Sequence, residues 1–101
     1  MTTKRKPTSA GEILQEEYLS PLGLTQKQLA DHIGYDVKVI NRLINGRTRV
    51  TAPLALKLAA ALGTSPEFWL NAQKAVDIYE AAKHIKKLPR VLVVNGHLAY
   101  A

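Results

Sequence analysis

Val37, Lys38, Asn41 and Arg42 fall on one face of a helix, and their types suit the reading of DNA base edges. An asparagine pairs bidentately with adenine, an arginine with guanine, and a valine can touch the thymine methyl, while a lysine reaches either a base or a phosphate. Ile40, Leu43 and Ile44 lie on the opposite side of the same turns, which gives that helix an apolar stripe to bury. Nothing in the chain makes a comparable case for catalysis. His32, His84 and His97 are isolated, no nucleophile has a base at a useful spacing, and no glycine loop could cradle phosphate. Asp77, Glu80 and His84 share a helix face, but three such groups on a charged stripe read as solvated side chains rather than metal ligands. The expectation is a binding protein, not an enzyme, with no metal and no cofactor.

The elements that must position those four residues run from Thr25 to Gly46. Thr25 can accept a backbone N–H from the first turn of a helix. Leu29, Ala30 and Ile33 follow at helical spacing, and Gly34 can end the helix in the left-handed conformation. Asp36 can cap the next helix, and Asn45-Gly46 closes it. Two short helices joined by a tight turn make a helix-turn-helix, whose second helix enters the major groove. An ordinary helical hairpin with a wet outer face would show the same apolar spacing. The coincidence of Thr-Gln start, Leu-Ala pair, turn glycine, Ile-x-Arg and Asn-Gly close favours DNA. The net charge is +6, and from Val37 to Pro66 the chain carries Lys38, Arg42, Arg47, Arg49 and Lys57 with no acid. A basic stretch centred on such a unit is the electrostatic footprint of nucleic-acid binding.

One hundred and one residues make one small domain with a single core. Residues 1–8 read as a flexible basic arm, with Lys4-Arg5-Lys6 before Pro7. Residues 9–88 hold the helices. Ser9 with Glu12 is a capping-box pattern opening a first helix, on which Ala10, Ile13, Leu14 and Tyr18 face inward. Ser20-Pro21-Leu22-Gly23 reads as the turn into the helix-turn-helix. Thr51, with Pro53 in the first turn, opens a fourth helix carrying Leu54, Leu58, Ala61 and Leu62 inward. Thr64-Ser65-Pro66-Glu67 reads as a second capping box, opening a fifth helix that runs to His84 or Lys87. Its apolar surface is wider than one neighbour covers and reads either as an unusually buried core helix or as a homodimer interface, for which Trp69, Val76 and Tyr79, or else the Arg90–Ala101 tail, are candidates. A short recognition helix spans few bases, and dimers of this kind set two of them about 34–36 Å apart on a palindromic site. Residues 89–101 change period: Arg90–Val94, an Asn95-Gly96 turn and His97–Tyr100 read as a β-hairpin. The fold expected is therefore all-α, five helices with a C-terminal hairpin. There is no cysteine, no apolar run of membrane-spanning length and no apolar signal region, so a reducing cytoplasm without membrane attachment is the expected setting.

The stretch Thr25-Gln26, Leu29-Ala30, Ile33-Gly34, Ile40, Arg42-Leu43, Asn45-Gly46 resembles the helix-turn-helix of the lambda-repressor-like (XRE) family. That resemblance implies base contacts by Val37, Lys38, Asn41 and Arg42, and phosphate contacts by Gln26, Arg47 and Arg49. Asp36 stands where the family usually has Ser or Thr; a carboxylate still caps the helix but is repelled by phosphate. Gly11–Leu14, Pro21–Leu24, and the run from Leu58 through Gly63-Thr-Ser-Pro-Glu-Phe-Trp-Leu-Asn71 are similar to the HigA/VapI antitoxin family. This second resemblance, over roughly residues 7–83, implies a dimeric autorepressor of double-stranded operator DNA that also neutralises an mRNA-cleaving RelE/HigB-like toxin encoded by the adjacent gene. A free-standing regulator without a toxin is the alternative. An inhibitor of an RNA-binding toxin should offer carboxylates, which makes Glu12, Glu16, Glu17 and neighbouring Tyr18 the candidate toxin contacts; the same glutamates also suit a helix N-terminus and solubility.

Overall fold

Ser9 opens the first helix through a reciprocal bond pair: its hydroxyl accepts from the Glu12 amide and the Glu12 carboxylate accepts from the Ser9 amide, each at 3.1 Å. The computed structural model describes residues 5–99. The first helix, α1, is continuous from Ala10 to Leu22 but not uniform. Ala10–Ile13 is α-helical, Leu14–Leu19 is π-helical and Ser20–Leu22 is α-helical again. The segment expected to be a turn around Pro21 is thus the last turn of a helix, and the turn waits for Gly23 at φ 63°. Proline in a helix removes one N–H and drives its ring at the carbonyl four residues back. The wider π turn just before it, in which the Ser20 amide donates to the Gln15 carbonyl, relieves that crowding. It also changes the phase of the apolar face. Leu14 and Leu19, five residues apart, are both buried, whereas Tyr18, expected to face inward, is half-buried.

The helix-turn-helix follows as α2 (Gln26–Ile33) and α3 (Val37–Ile44). Thr25 and Gln28 form a second capping box, with bonds of 3.0 and 2.9 Å. Gly34, at φ 77°, stops α2, and Asp36 Oδ1 accepts from the Lys38 amide at 2.8 Å to start α3. Thr51 caps α4 (Ala52–Leu62), and α5 (Pro66–His84) is the longest element. The expected Thr64–Glu67 box is replaced by a simpler arrangement. Ser65 is the cap, accepting from the Phe68 amide at 3.1 Å, and the Thr64 hydroxyl instead accepts the Trp69 indole N–H at 2.7 Å.

Trp69, Leu14, Leu29, Ile40, Leu54 and Leu58 form the fully buried centre of the core. Trp69 was expected on the outer surface of α5; it is completely enclosed, with Phe68 edge-on at 5.0 Å and Tyr18 tilted at 5.7 Å between ring centroids. The correction has a geometric cause. The face of α5 that meets the core carries Trp69, with Leu70 and Ala72 packed beside it, while Phe68 is 38% exposed and Ile78 further along is 62% exposed. A close approach joins α1 to α3. A Cβ on Gly11 would stand 2.0 Å from the Leu43 carbonyl oxygen and 2.8 Å from the Ile44 Cα. Only a glycine lets the two backbones meet there.

After α5 the chain forms the expected hairpin in reduced form. Its strands, β1 (Val93–Val94) and β2 (His97–Leu98), pair antiparallel, Val93 with Leu98 and Val94 with His97. Asn95 and Gly96 both take positive φ, 52° and 78°, as a two-residue hairpin turn demands. Every described residue from Ile85 onward is exposed. Met1–Lys4 of the expected basic arm, and Tyr100 and Ala101 of the tail, lie outside the described residues.

Candidate nucleic-acid interface

The amphipathic division of α3 is complete. Ile40 and Leu43 are buried, and Val37, Lys38, Asn41 and Arg42 are exposed together on the other side. With Gln26 from the first turn of α2 and Arg47 from the loop after α3, they line one shallow concavity. Six of the seven residues expected to touch DNA are therefore assembled on one face. Among the described residues, the side chains of Lys38, Arg42 and Arg47 have no partner within the chain, so three cations are presented on that face. Cations held this way are free to meet phosphates or base edges.

Asn41 is held more tightly. Its Nδ2 donates to Gln26 Oε1 at 3.1 Å, and Asn45 Nδ2 donates to the Asn41 carbonyl and Oδ1 at 3.0 and 3.2 Å. This chain of amides ties the start of α2 to the outer face of α3. It was not foreseen, because residues 26 and 41 meet only through the tertiary packing of the two helices.

Arg49 stands apart from the other six. Its guanidinium makes a two-pronged ion pair with Asp77 of α5, 2.8 and 2.6 Å. The hydrogen bond from Arg49 holds the Asp77 carboxyl below its ordinary pKa, with Gln73 adding to the effect, and Asp77 in turn raises that of Arg49. A carboxylate with a depressed folded-state pKa stabilises fully above its unfolded pKa and loses that contribution as pH falls through the folded value. The pair is therefore complete at neutral pH. Beside it, Gln73 Oε1 accepts the Val50 amide at 3.1 Å, and Gln73 Nε2 donates to Asp77 Oδ1 at 3.1 Å.

The other expected contact residues are dispersed. Glu12 is committed to the Ser9 cap, whose backbone and hydroxyl bonds lower its pKa. Glu16 and Glu17 are exposed on the π-helical part of α1, and Tyr18 leans on Trp69. On α5, Val76 and Tyr79 are half-buried, and Ile78 beside them is 62% exposed. Asp77 and Glu80, once weighed as metal ligands, face Arg49 and the lysines Lys6 and Lys83. No described helix is long and apolar enough to cross a membrane.

Comparison with known proteins agrees with this geometry. A helix-turn-helix family model matches residues 14–69. The chain is 50% identical over 93 residues to the antitoxin HigA-1 of Vibrio cholerae, covering 85% of this chain and 88% of the relative. Among solved structures it is similar to an addiction-module antidote protein of the HigA family from Coxiella burnetii, with TM-score 0.74, 42% identity, and 78% and 86% of the two chains covered. It is also similar to the antitoxin GraA in complex with its operator, with TM-score 0.72, 32% identity, and 89% and 99% covered. A capped helix-turn-helix inside a five-helix core, at this level of identity over most of both chains, places the chain in the XRE-type helix-turn-helix family, among the HigA antitoxins.

Proposed function

We propose that the protein binds a specific double-stranded operator as a two-fold dimer, represses its own operon, and neutralises an mRNA-cleaving RelE/HigB-like toxin from the neighbouring gene. The observation that carries the DNA reading is the single exposed face formed by Gln26, Val37, Lys38, Asn41, Arg42 and Arg47. Arg42, whose side chain is unpartnered on that face, is the principal base reader, with Asn41 and Val37 on the same helix face. Lys38 contacts base or phosphate. Gln26 and Arg47 meet phosphates on either side of the helix. The operator-bound GraA structure, similar over most of its length, supports the DNA partner.

Arg47 and Arg49 separate in this reading. Removing a phosphate contact flattens the plot of log affinity against log salt by about 0.9 per contact. Arg47→Ala should show that change. Arg49→Ala should show less, because Asp77 already neutralises it. Equal slopes for Arg47→Ala and the unaltered protein would remove Arg47 from the phosphate contacts.

The toxin role rests on the kinship with HigA antitoxins, and Glu16 and Glu17 are the carboxylates still free to meet a basic RNA-binding surface, with Glu12 and Tyr18 at the margin. The test is to mix the protein with the product of the adjacent gene and follow mRNA cleavage. Stoichiometric inhibition is expected; persistent cleavage in excess protein would leave only a DNA-binding regulator. Inhibition that survives Glu16→Lys with Glu17→Lys would place the toxin elsewhere.

The dimer is assigned to the outer half of α5, through Val76, Tyr79 and exposed Ile78, without Trp69. Sedimentation at micromolar concentration should give the mass of two chains, and Ile78→Glu should give one. A monomer for the unaltered protein, with and without DNA, would contradict the two-fold assembly.

A further inference from the structure

The loop between α3 and α4 is fastened at both ends and open in the middle. At its start the Asn45, Gly46 and Arg47 amides bond back to the carbonyls of Asn41, Leu43 and Arg42. At its end Val50 and Arg49 are held by Gln73 and Asp77, more than twenty residues away on α5. Between the fastenings, the Thr48 and Arg49 amides have no hydrogen-bond partner within the described chain. Two N–H groups without an internal partner, next in sequence to Arg47 on a loop fastened at both ends, are donors that an anionic phosphate oxygen can accept from.

We infer that Gln73 and Asp77 are positioning residues for DNA binding, holding the Arg47–Val50 loop in the conformation that grips the backbone phosphate. They act through the loop and touch no DNA themselves. The inference rests on the DNA-binding role proposed above and deepens it, because it makes α5 part of the DNA-binding apparatus as well as the assigned dimer element. A loop already ordered before binding spares the cost of ordering it on the DNA. That cost is about 0.5–1.5 kcal/mol for each side chain immobilised, or roughly two- to tenfold in affinity.

The sign of the effect makes the inference testable. Asp77 is an acid close to a polyanion-binding loop. If it merely competed with phosphate for Arg49, removing it would strengthen binding. If it positions the loop, removing it weakens binding despite the gain in net positive charge. The duplex immediately upstream of the protein's own reading frame serves as the probe, titrated with full-length unaltered protein, Asp77→Ala, Gln73→Ala and Asp77→Glu. Glu80→Ala, an acid one turn further along α5, controls for charge alone.

Asp77→Ala and Gln73→Ala are expected to bind roughly two- to tenfold more weakly, with Asp77→Glu recovering part of the loss. Affinities are compared at a temperature where every variant is fully folded, and Glu80→Ala keeps its affinity or gains slightly. A midpoint loss in Asp77→Ala would shift the decision to Gln73→Ala, which removes no charge. Affinity equal to or above the unaltered protein in a folded Asp77→Ala or Gln73→Ala would overturn the inference while leaving the DNA reading intact. Failure of the unaltered protein to bind the duplex, or any control fragment, would overturn both.

Discussion

Replacing Trp69 by alanine should cost about 3–5 kcal/mol, the range for removing a large aromatic from a close-packed core. The indole is fully enclosed, touches Phe68 and Tyr18, and satisfies the Thr64 hydroxyl through its N–H at 2.7 Å. Small domains keep only about 5–15 kcal/mol in total, so the variant should be folded marginally or not at all. For a domain of this size each kcal/mol moves the thermal midpoint by about 4–8 °C. Trp69→Phe should retain much of the stability, since it keeps an aromatic filling and loses mainly the hydrogen bond. Thermal unfolding followed by far-ultraviolet circular dichroism measures both. A midpoint for Trp69→Ala within a few degrees of the unaltered protein would show that the indole is not at the centre of the core.

Gly11→Ala should produce the second large effect, and a selective one. The new methyl group would meet the Leu43 carbonyl and Ile44 Cα, both backbone atoms at the end of α3, so no side-chain rotation can relieve the contact. Helix α1 must move off α3. Overpacking of this kind typically costs about 1–3 kcal/mol, with the upper end expected where the obstruction is backbone. Because the obstructed backbone is the end of α3, the helix that carries Asn41 and Arg42, affinity for the operator should fall further than the loss of folded protein explains. Measuring DNA affinity at a temperature where the variant is still folded separates the two losses. Normal stability together with normal affinity would mean that α1 and α3 are farther apart than described.

Much of the frame was legible because it is encoded locally. Ser9, Thr25, Asp36 and Thr51 each announce a helix start with their own side chains, and Gly34 and Gly63 announce helix ends by adopting positive φ. The outward set on α3 follows from the spacing of Ile40 and Leu43 alone. What stayed hidden depends on partners distant in sequence or on a break in periodicity. The π turn before Pro21 adds Leu19 to the buried set of α1 while Tyr18 packs at the edge of the core, and a fixed helical period cannot anticipate that. The apolar run of α5 does not say where its neighbour stops, so Trp69 looked as exposed as Val76. Arg49 looked like another loop cation until α5 brought Asp77 to it. Gly11 gave no signal by composition, since its reason is the backbone of α3. The Gly63–Asn71 run now has a structural account: Gly63 ends α4, Thr64 receives the indole, Ser65 caps α5, Pro66 fits the first turn and Trp69 fills the core.

The central claim is that the exposed face of α3 reads base sequence, with Arg42 as its principal reader. The direct test is a pair of titrations of Arg42→Ala and unaltered protein, at one salt concentration, on the duplex upstream of the gene and on a scrambled duplex of the same length and composition. Loss of one bidentate base contact should cost roughly 1–3 kcal/mol on the upstream duplex and far less on the scrambled one, so that discrimination between the two collapses. An equal loss on both duplexes would contradict the claim and reduce Arg42 to a phosphate contact.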